Sequence, residues 1–147
     1  MGARRKGREA ALQMLYQMDV GGSGAEDAIR AYWAHLGENE SGDISADASD
    51  AGMVDFANML VRGFATHRAR IDETIRNVSH HWRLERMTRV DRNILRLATF
   101  ELLELTDVPR RVTLNEAIEL AKRFGSEGSA GFVNGVLDRI AGDLGKS

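Results

Sequence analysis

The chain has 147 residues and a formal net charge of −2, a size that suits one globular domain with a buried core. It contains no cysteine and opens on charged residues, so we expect no disulfides, no thiolate metal ligands and no apolar signal sequence. No apolar run approaches the roughly 20 residues that span a bilayer, and we expect a cytoplasmic protein without a membrane segment.

Charge is distributed unevenly along this sequence. Four cations precede the first acidic residue, and residues 4–8 are called the basic arm here: Arg4, Arg5, Lys6 and Arg8. Residues 37–61 carry acidic but no basic side chains, whereas arginine is abundant in the second half. This asymmetry favours an anionic partner, because the planar guanidinium group suits phosphates and base edges. An overall arginine bias with solvated helix faces is the alternative.

Apolar residues recur at helical spacing along nearly the whole sequence, and no sustained strand alternation is present. The first helix is predicted from about residue 4 to residue 20, with Gly21 and Gly22 closing it. The second covers about residues 25–36. A segment rich in glycine, serine and acidic residues at 37–50 then predicts a surface loop, called the acidic loop below.

The next three helices are predicted from their apolar stripes. The third has its stripe between Met53 and Phe64, and the fourth has its stripe between Ile71 and Trp82. Thr88 caps the fifth helix. Because that helix is apolar around much of its circumference, we expect it at the centre of the fold.

Two further helices are predicted near the end of the chain. Pro109 separates the fifth helix from the sixth, because proline has no N–H to donate. Thr113 and Glu116 have the spacing of a capping box, which predicts that the sixth helix begins there. Gly125 is expected to close it in the left-handed conformation. The seventh helix carries its apolar stripe over residues 132–140.

Seven helices with short connections predict an all-α fold. We expect a single domain, 1–147, built from two packed helical halves at about 1–66 and 67–147. The acidic loop is the one compositionally biased segment.

Three segments of the chain resemble the NusB family of transcription antitermination factors. In chain order they read ARRKGREAALQMLYQMDV, RVDRNILRLATFELL and DVPRRVTLNEAIELAKRFGSEGSAGFVNGVLDRIA. The resemblance implies an all-α fold of two helical halves and a non-enzymatic adaptor. Such an adaptor pairs with NusE, a small ribosomal protein, and binds single-stranded boxA RNA. It acts on elongating RNA polymerase during ribosomal RNA transcription.

Two segments are candidates for RNA binding. The cations of the basic arm lie at the start of a helix, where the helix dipole disfavours positive charge. The phosphates of an RNA backbone would neutralise these charges and relieve their mutual repulsion. The turn at 125–131 precedes a helix whose first amides favour anions, and the Phe132 ring suits base stacking. Together with the resemblance, these features predict RNA contacts at the basic arm, Ser129 and Phe132. The alternatives are a disordered N-terminus and a flexible helix cap beside a core phenylalanine.

The resemblance also implies a protein-binding surface. Tyr16 and Asp91 match family positions that bind NusE, and an acidic side chain suits that basic partner. In contrast, Gly128 and Gly131 stand where many members carry an aspartate and a lysine, and without the lysine one phosphate contact is missing.

Other polar and small residues of the matching segments are given structural roles. Asn115, Glu116 and Asn134 are interpreted as capping and buried hydrogen-bonding residues. Gly131 and Gly135 have the G-x-x-x-G spacing that permits close helix packing.

No catalytic or metal-binding constellation is evident in the sequence. His80 and His81 are adjacent, so on a helix they would point about 100° apart, and phosphate-binding and nucleophile motifs are missing. We therefore expect no enzyme activity, no metal and no cofactor. Three alternatives stay open: a helical scaffold that binds only protein, a homodimer that covers the basic arm, and a stand-alone relative of the N-terminal domain of RNA cytosine methyltransferases.

Overall fold

The computed structural model describes residues 2–39 and 48–146, and these residues contain α-helices and no strand. The predicted all-α fold is therefore confirmed. The six helices found there are α1 (Ala3–Gly21), α2 (Ala25–Asn39), α3 (Ala48–Val78), α4 (Arg89–Glu104), α5 (Arg110–Phe124) and α6 (Ser129–Asp143). α2 and α3 extend into the predicted acidic loop from both sides, and the rest of that loop, residues 40–47, lies outside the described residues.

The chain divides into two compact units, an N-terminal unit of residues 1–65 and a C-terminal unit of residues 66–147. α3 begins in the first unit and ends in the second. Its backbone leaves helical geometry only at His67, where φ is −107° and ψ is 17°. The kink at His67 lies between the two predicted apolar stripes, so the third and fourth helices are observed as the two segments of α3 on either side of it.

In the N-terminal unit, α1 ends as predicted. Gly22 adopts a φ of 72°, and its N–H donates to the Met18 carbonyl at 2.8 Å. α1 also approaches α3 closely at Gly7. A methyl group at Gly7 would lie 2.9 Å from Phe56 Cδ2 and 3.2 Å from the Met53 carbonyl oxygen. Only glycine leaves room for this approach.

In the C-terminal unit, α4 packs against both α5 and α6, and its residues 93–102 are all buried. This burial confirms the central position that its sequence predicted. The Thr88 hydroxyl accepts a hydrogen bond from the Asp91 N–H at 3.1 Å, so the predicted cap is also confirmed. A buried ion pair joins α4 to α3, since Arg96 donates to both carboxylate oxygens of Asp72 at 2.9 and 3.1 Å.

The ends of α5 differ from the sequence prediction. α5 begins at Arg110, directly after Pro109, rather than at Thr113. The capping-box interpretation was wrong because Thr113 is buried and its hydroxyl donates to Glu101 Oε1 at 3.4 Å. Gly125 has a φ of −89°, so it is extended rather than left-handed. The left-handed residue is Gly128, with a φ of 90°.

Candidate nucleic-acid interface

The basic arm forms the first turns of α1. Arg4 and Lys6 are exposed, Arg5 is half-buried, and Arg8 is only 4% exposed. The arm is helical from Ala3 onward. The structure therefore presents Arg4 and Lys6 to solvent, whereas Arg8 belongs to the packed interior of its unit.

Phe56 of α3 positions two members of the arm. The guanidinium carbons of Arg4 and Arg8 lie 5.3 and 5.4 Å from the centroid of its ring. Residues four apart share one helix face, so a single ring contacts both arginines. At these distances the ring face attracts each cation. This contact stabilises two of the four like charges at a helix start that the dipole disfavours.

The turn before α6 is stabilised by a hydrogen bond between two of its own residues. The Ser129 hydroxyl accepts a hydrogen bond from the Ser126 N–H at 3.0 Å, and Ser129 is 3% exposed. A methyl group at Gly125 would lie 2.6 Å from that hydroxyl oxygen, which explains the glycine there. Ser129, predicted to contact RNA, thus holds the turn in shape, while Ser126, Glu127 and Gly128 are exposed.

Phe132 lies one turn into α6, is half-buried, and contacts Trp82. The rings of Phe132 and Trp82 pack edge to face, with centroids 6.2 Å apart and an interplanar angle of 78°. Trp82 was predicted to continue the apolar stripe of Ile71 and Val78. Instead α3 ends at Val78, and Trp82 lies in the following turn with 60% of its surface exposed.

Hydrogen bonds fix the segment around Trp82. Leu84–Arg86 forms a single 3₁₀ turn, and Arg92 donates to the carbonyls of Leu84 and Met87 at 3.1 and 3.3 Å. Arg76 donates to Glu85 at 2.7 Å. That hydrogen bond lowers the pKa of Glu85 and raises the pKa of Arg76.

The two predicted NusE-binding residues belong to different units. Tyr16 is exposed on α1. Asp91 lies in the first turn of α4, where the dipole favours an acid. Its Oδ1 atom is buried and accepts no hydrogen bond from residues 2–39 or 48–146.

Several structural roles assigned from sequence were wrong. Asn115 and Asn134 are exposed inside α5 and α6, so neither is a cap or a buried hydrogen-bonding residue. Gly131 and Gly135 are exposed, and a methyl group on either would meet no atom within 4 Å. Their spacing therefore serves no close helix packing within this part of the chain.

The described residues contain no group of three His, Asp or Glu side chains arranged to hold a metal ion. None of the helices in that part of the chain is long and apolar enough to cross a membrane.

Comparison with known proteins gives one consistent family. The family model described as NusB matches residues 5–142. The transcription antitermination protein NusB of Myxococcus xanthus is 49% identical over 146 residues, which is 99% of both chains. NusB of T. maritima superimposes with a TM-score of 0.79 at 38% identity, covering 95% of this chain and 91% of that one. A structure of the antitermination factors NusB and NusE in complex with double-stranded RNA superimposes with a TM-score of 0.78 at 26% identity. The match covers 96% of this chain and 97% of that one.

Proposed function

The chain belongs to the NusB family, and from that premise we propose that it is a transcription antitermination adaptor that binds RNA together with NusE. The observation that carries this proposal is the similarity to the solved NusB–NusE–RNA complex over 96% of the chain. The similar proteins are named as antitermination factors and not as enzymes, so the adaptor acts by binding.

The type of RNA, the cellular location and the process are proposed from the resemblance of the sequence to the NusB family. The RNA is single-stranded and of the boxA type, and the protein works in the cytoplasm on elongating RNA polymerase during ribosomal RNA transcription. The exposed cations Arg4 and Lys6 neutralise phosphates, which makes the affinity dependent on salt. Phe132 contributes an aromatic ring for base contact.

NusE binding is assigned to Tyr16 and Asp91. A protein partner that contacts both this chain and the RNA links the two binding events through a coupling free energy. The adaptor therefore binds RNA more tightly when NusE is present.

Stoichiometry tests this proposal against its alternatives. Sedimentation of the chain mixed with NusE and a boxA-type RNA should give one complex that contains all three components. A chain that binds NusE but never RNA would be a protein-only scaffold. A stable homodimer that excludes both components would also contradict the proposal.

A further inference from the structure

We propose that the indole ring of Trp82 forms a stacking site for an unpaired base of the bound RNA. Phe132 packs against that ring, and His80, His81 and Arg83 flank it. This inference rests on the proposed RNA-binding function and adds a site to it. The turn of residues 80–83 reads His-His-Trp-Arg, and it is called the HHWR turn below.

The exposure of Trp82 is the first observation. Its 60% is the largest fraction among the exposed large apolar side chains in the part of the chain described. The other tryptophan, Trp33, is partly buried and its indole N–H donates to Asn58 at 2.8 Å. Because an indole carries a large apolar surface, holding one in water is unfavourable unless a ligand covers it.

The geometry of the pair suits stacking. An edge-to-face contact covers at most one face of the two rings, so the exposed indole keeps a flat face open to solvent. A base can stack on that face while Phe132 supports the indole from the side. Stacking of this kind needs an unpaired base, because bases in a duplex are already stacked.

The HHWR turn is held in place before any ligand arrives. The Ser79 hydroxyl donates to the Ile75 carbonyl at 2.8 Å, and the backbone N–H of Trp82 donates to the Ser79 carbonyl at 3.0 Å. Leu84 is 1% exposed and anchors the other side of the turn. A fixed aromatic side chain loses little conformational entropy on binding.

The surroundings of Trp82 favour RNA over a basic protein partner. His80, His81 and Arg83 are all exposed, and the HHWR turn carries no acidic residue. Imidazole rings and guanidinium groups stack on bases, and the arginine charge attracts phosphate. The acid that follows the turn, Glu85, is already paired with Arg76, so the turn offers a basic ribosomal protein little electrostatic attraction.

Two substitutions test the site. Trp82→Ala should weaken binding of a boxA-type RNA about 5-fold to 150-fold, the range for removal of one base–aromatic stack. Trp82→Phe should restore most of the affinity, because it keeps a ring. RNA affinity is measured by fluorescence anisotropy, NusE affinity by calorimetry, and helix content by circular dichroism. Leu144→Ala, which removes another exposed apolar side chain of the same unit, is the matched control and should bind RNA normally.

A base-specific probe then locates the effect. Single abasic nucleotides are placed at each position of the RNA in turn. At one position the abasic RNA should bind wild type and Trp82→Ala equally weakly. In a Trp33→Phe background, where Trp82 is the only tryptophan, RNA binding should quench the emission.

The outcomes separate this site from the wider function. Equal RNA affinity of wild type and Trp82→Ala would overturn the stacking site and leave the adaptor function standing. Loss of NusE binding with unchanged RNA binding would also overturn it, because the turn would then be a protein contact. Failure of wild type to bind any RNA, alone or with NusE, would overturn both proposals.

Discussion

The guanidinium carbon of Arg8 lies 5.4 Å from the centroid of the Phe56 ring, although the two residues belong to different helices. Arg4 contacts the same ring one helical turn earlier. This shared contact fixes the direction of the basic arm, because the ring holds one arginine inside the unit and a second near the surface. The arm is therefore a rigid cationic helix start whose outward charges are Arg4 and Lys6.

The basic arm should determine the salt dependence of RNA binding. Arg4→Ala combined with Lys6→Ala should weaken RNA affinity and reduce the salt slope by about 0.7 for each phosphate that is no longer neutralised. Anisotropy titrations over a range of KCl concentrations measure this slope. Arg30→Ala removes a cation of the same unit that pairs with Asp27, and it should leave the slope unchanged. An unaltered slope in the double variant would exclude the arm from the RNA interface.

Gly7 should be required for the packing of α1 on α3. Gly7→Ala places a methyl group against Phe56 and the Met53 carbonyl, so it should lower the free energy of unfolding by about 1–3 kcal/mol. Gly135→Ala is the control, since its methyl group meets no atom within 4 Å and should raise that free energy by about 0.5–1 kcal/mol. Urea denaturation measures both changes. A stabilised Gly7→Ala variant would contradict the close approach.

Gly131→Lys should strengthen RNA binding. Gly131 is exposed in the first turn of α6 and has open space around it, so a lysine fits without displacing other atoms. One new phosphate contact should steepen the salt slope by about 0.7. Gly131→Gln gives a comparable gain in helix propensity without the charge, and its RNA affinity should equal that of wild type. Equal affinities for the Lys and Gln variants would argue against RNA at this turn.

The Arg76–Glu85 pair should be visible in a titration. Its hydrogen bond lowers the pKa of Glu85, so the stabilisation from the pair is present above the unfolded-state pKa and is lost as pH falls through the folded-state pKa. Arg76→Gln should raise the pKa of Glu85 back toward its ordinary value. Carboxyl chemical shifts measured by NMR between acidic and neutral pH report this change. An identical titration midpoint in the variant would show that the pair does not form in solution.

Structural features that depend only on residues close together in the sequence were predicted correctly. The Thr88 cap, the left-handed glycine after α1 and the all-round burial of α4 follow from neighbouring residues, and all three are observed. The two apolar stripes within α3 also predicted its two segments, although the sequence does not show that only a kink at His67 separates them. The capping box failed because the burial of Thr113 depends on Glu101 in another helix.

The candidate interface was only partly predictable. Phe132 and the basic arm stand out in the sequence, but the burial of Arg8 depends on Phe56 of another helix. Trp82 was missed because its spacing from Val78 fits a buried helical stripe, and only the end of α3 at Val78 leaves it exposed. Its neighbours in the sequence could have indicated this exposure, because two histidines and an arginine seldom lie beside a core residue.

The most direct test of the adaptor account is the affinity of a labelled boxA-type RNA, measured by fluorescence anisotropy with and without saturating NusE. NusE should tighten RNA binding by about 5-fold to 150-fold, the usual range for coupled sites. An RNA affinity that is the same with and without NusE would contradict it.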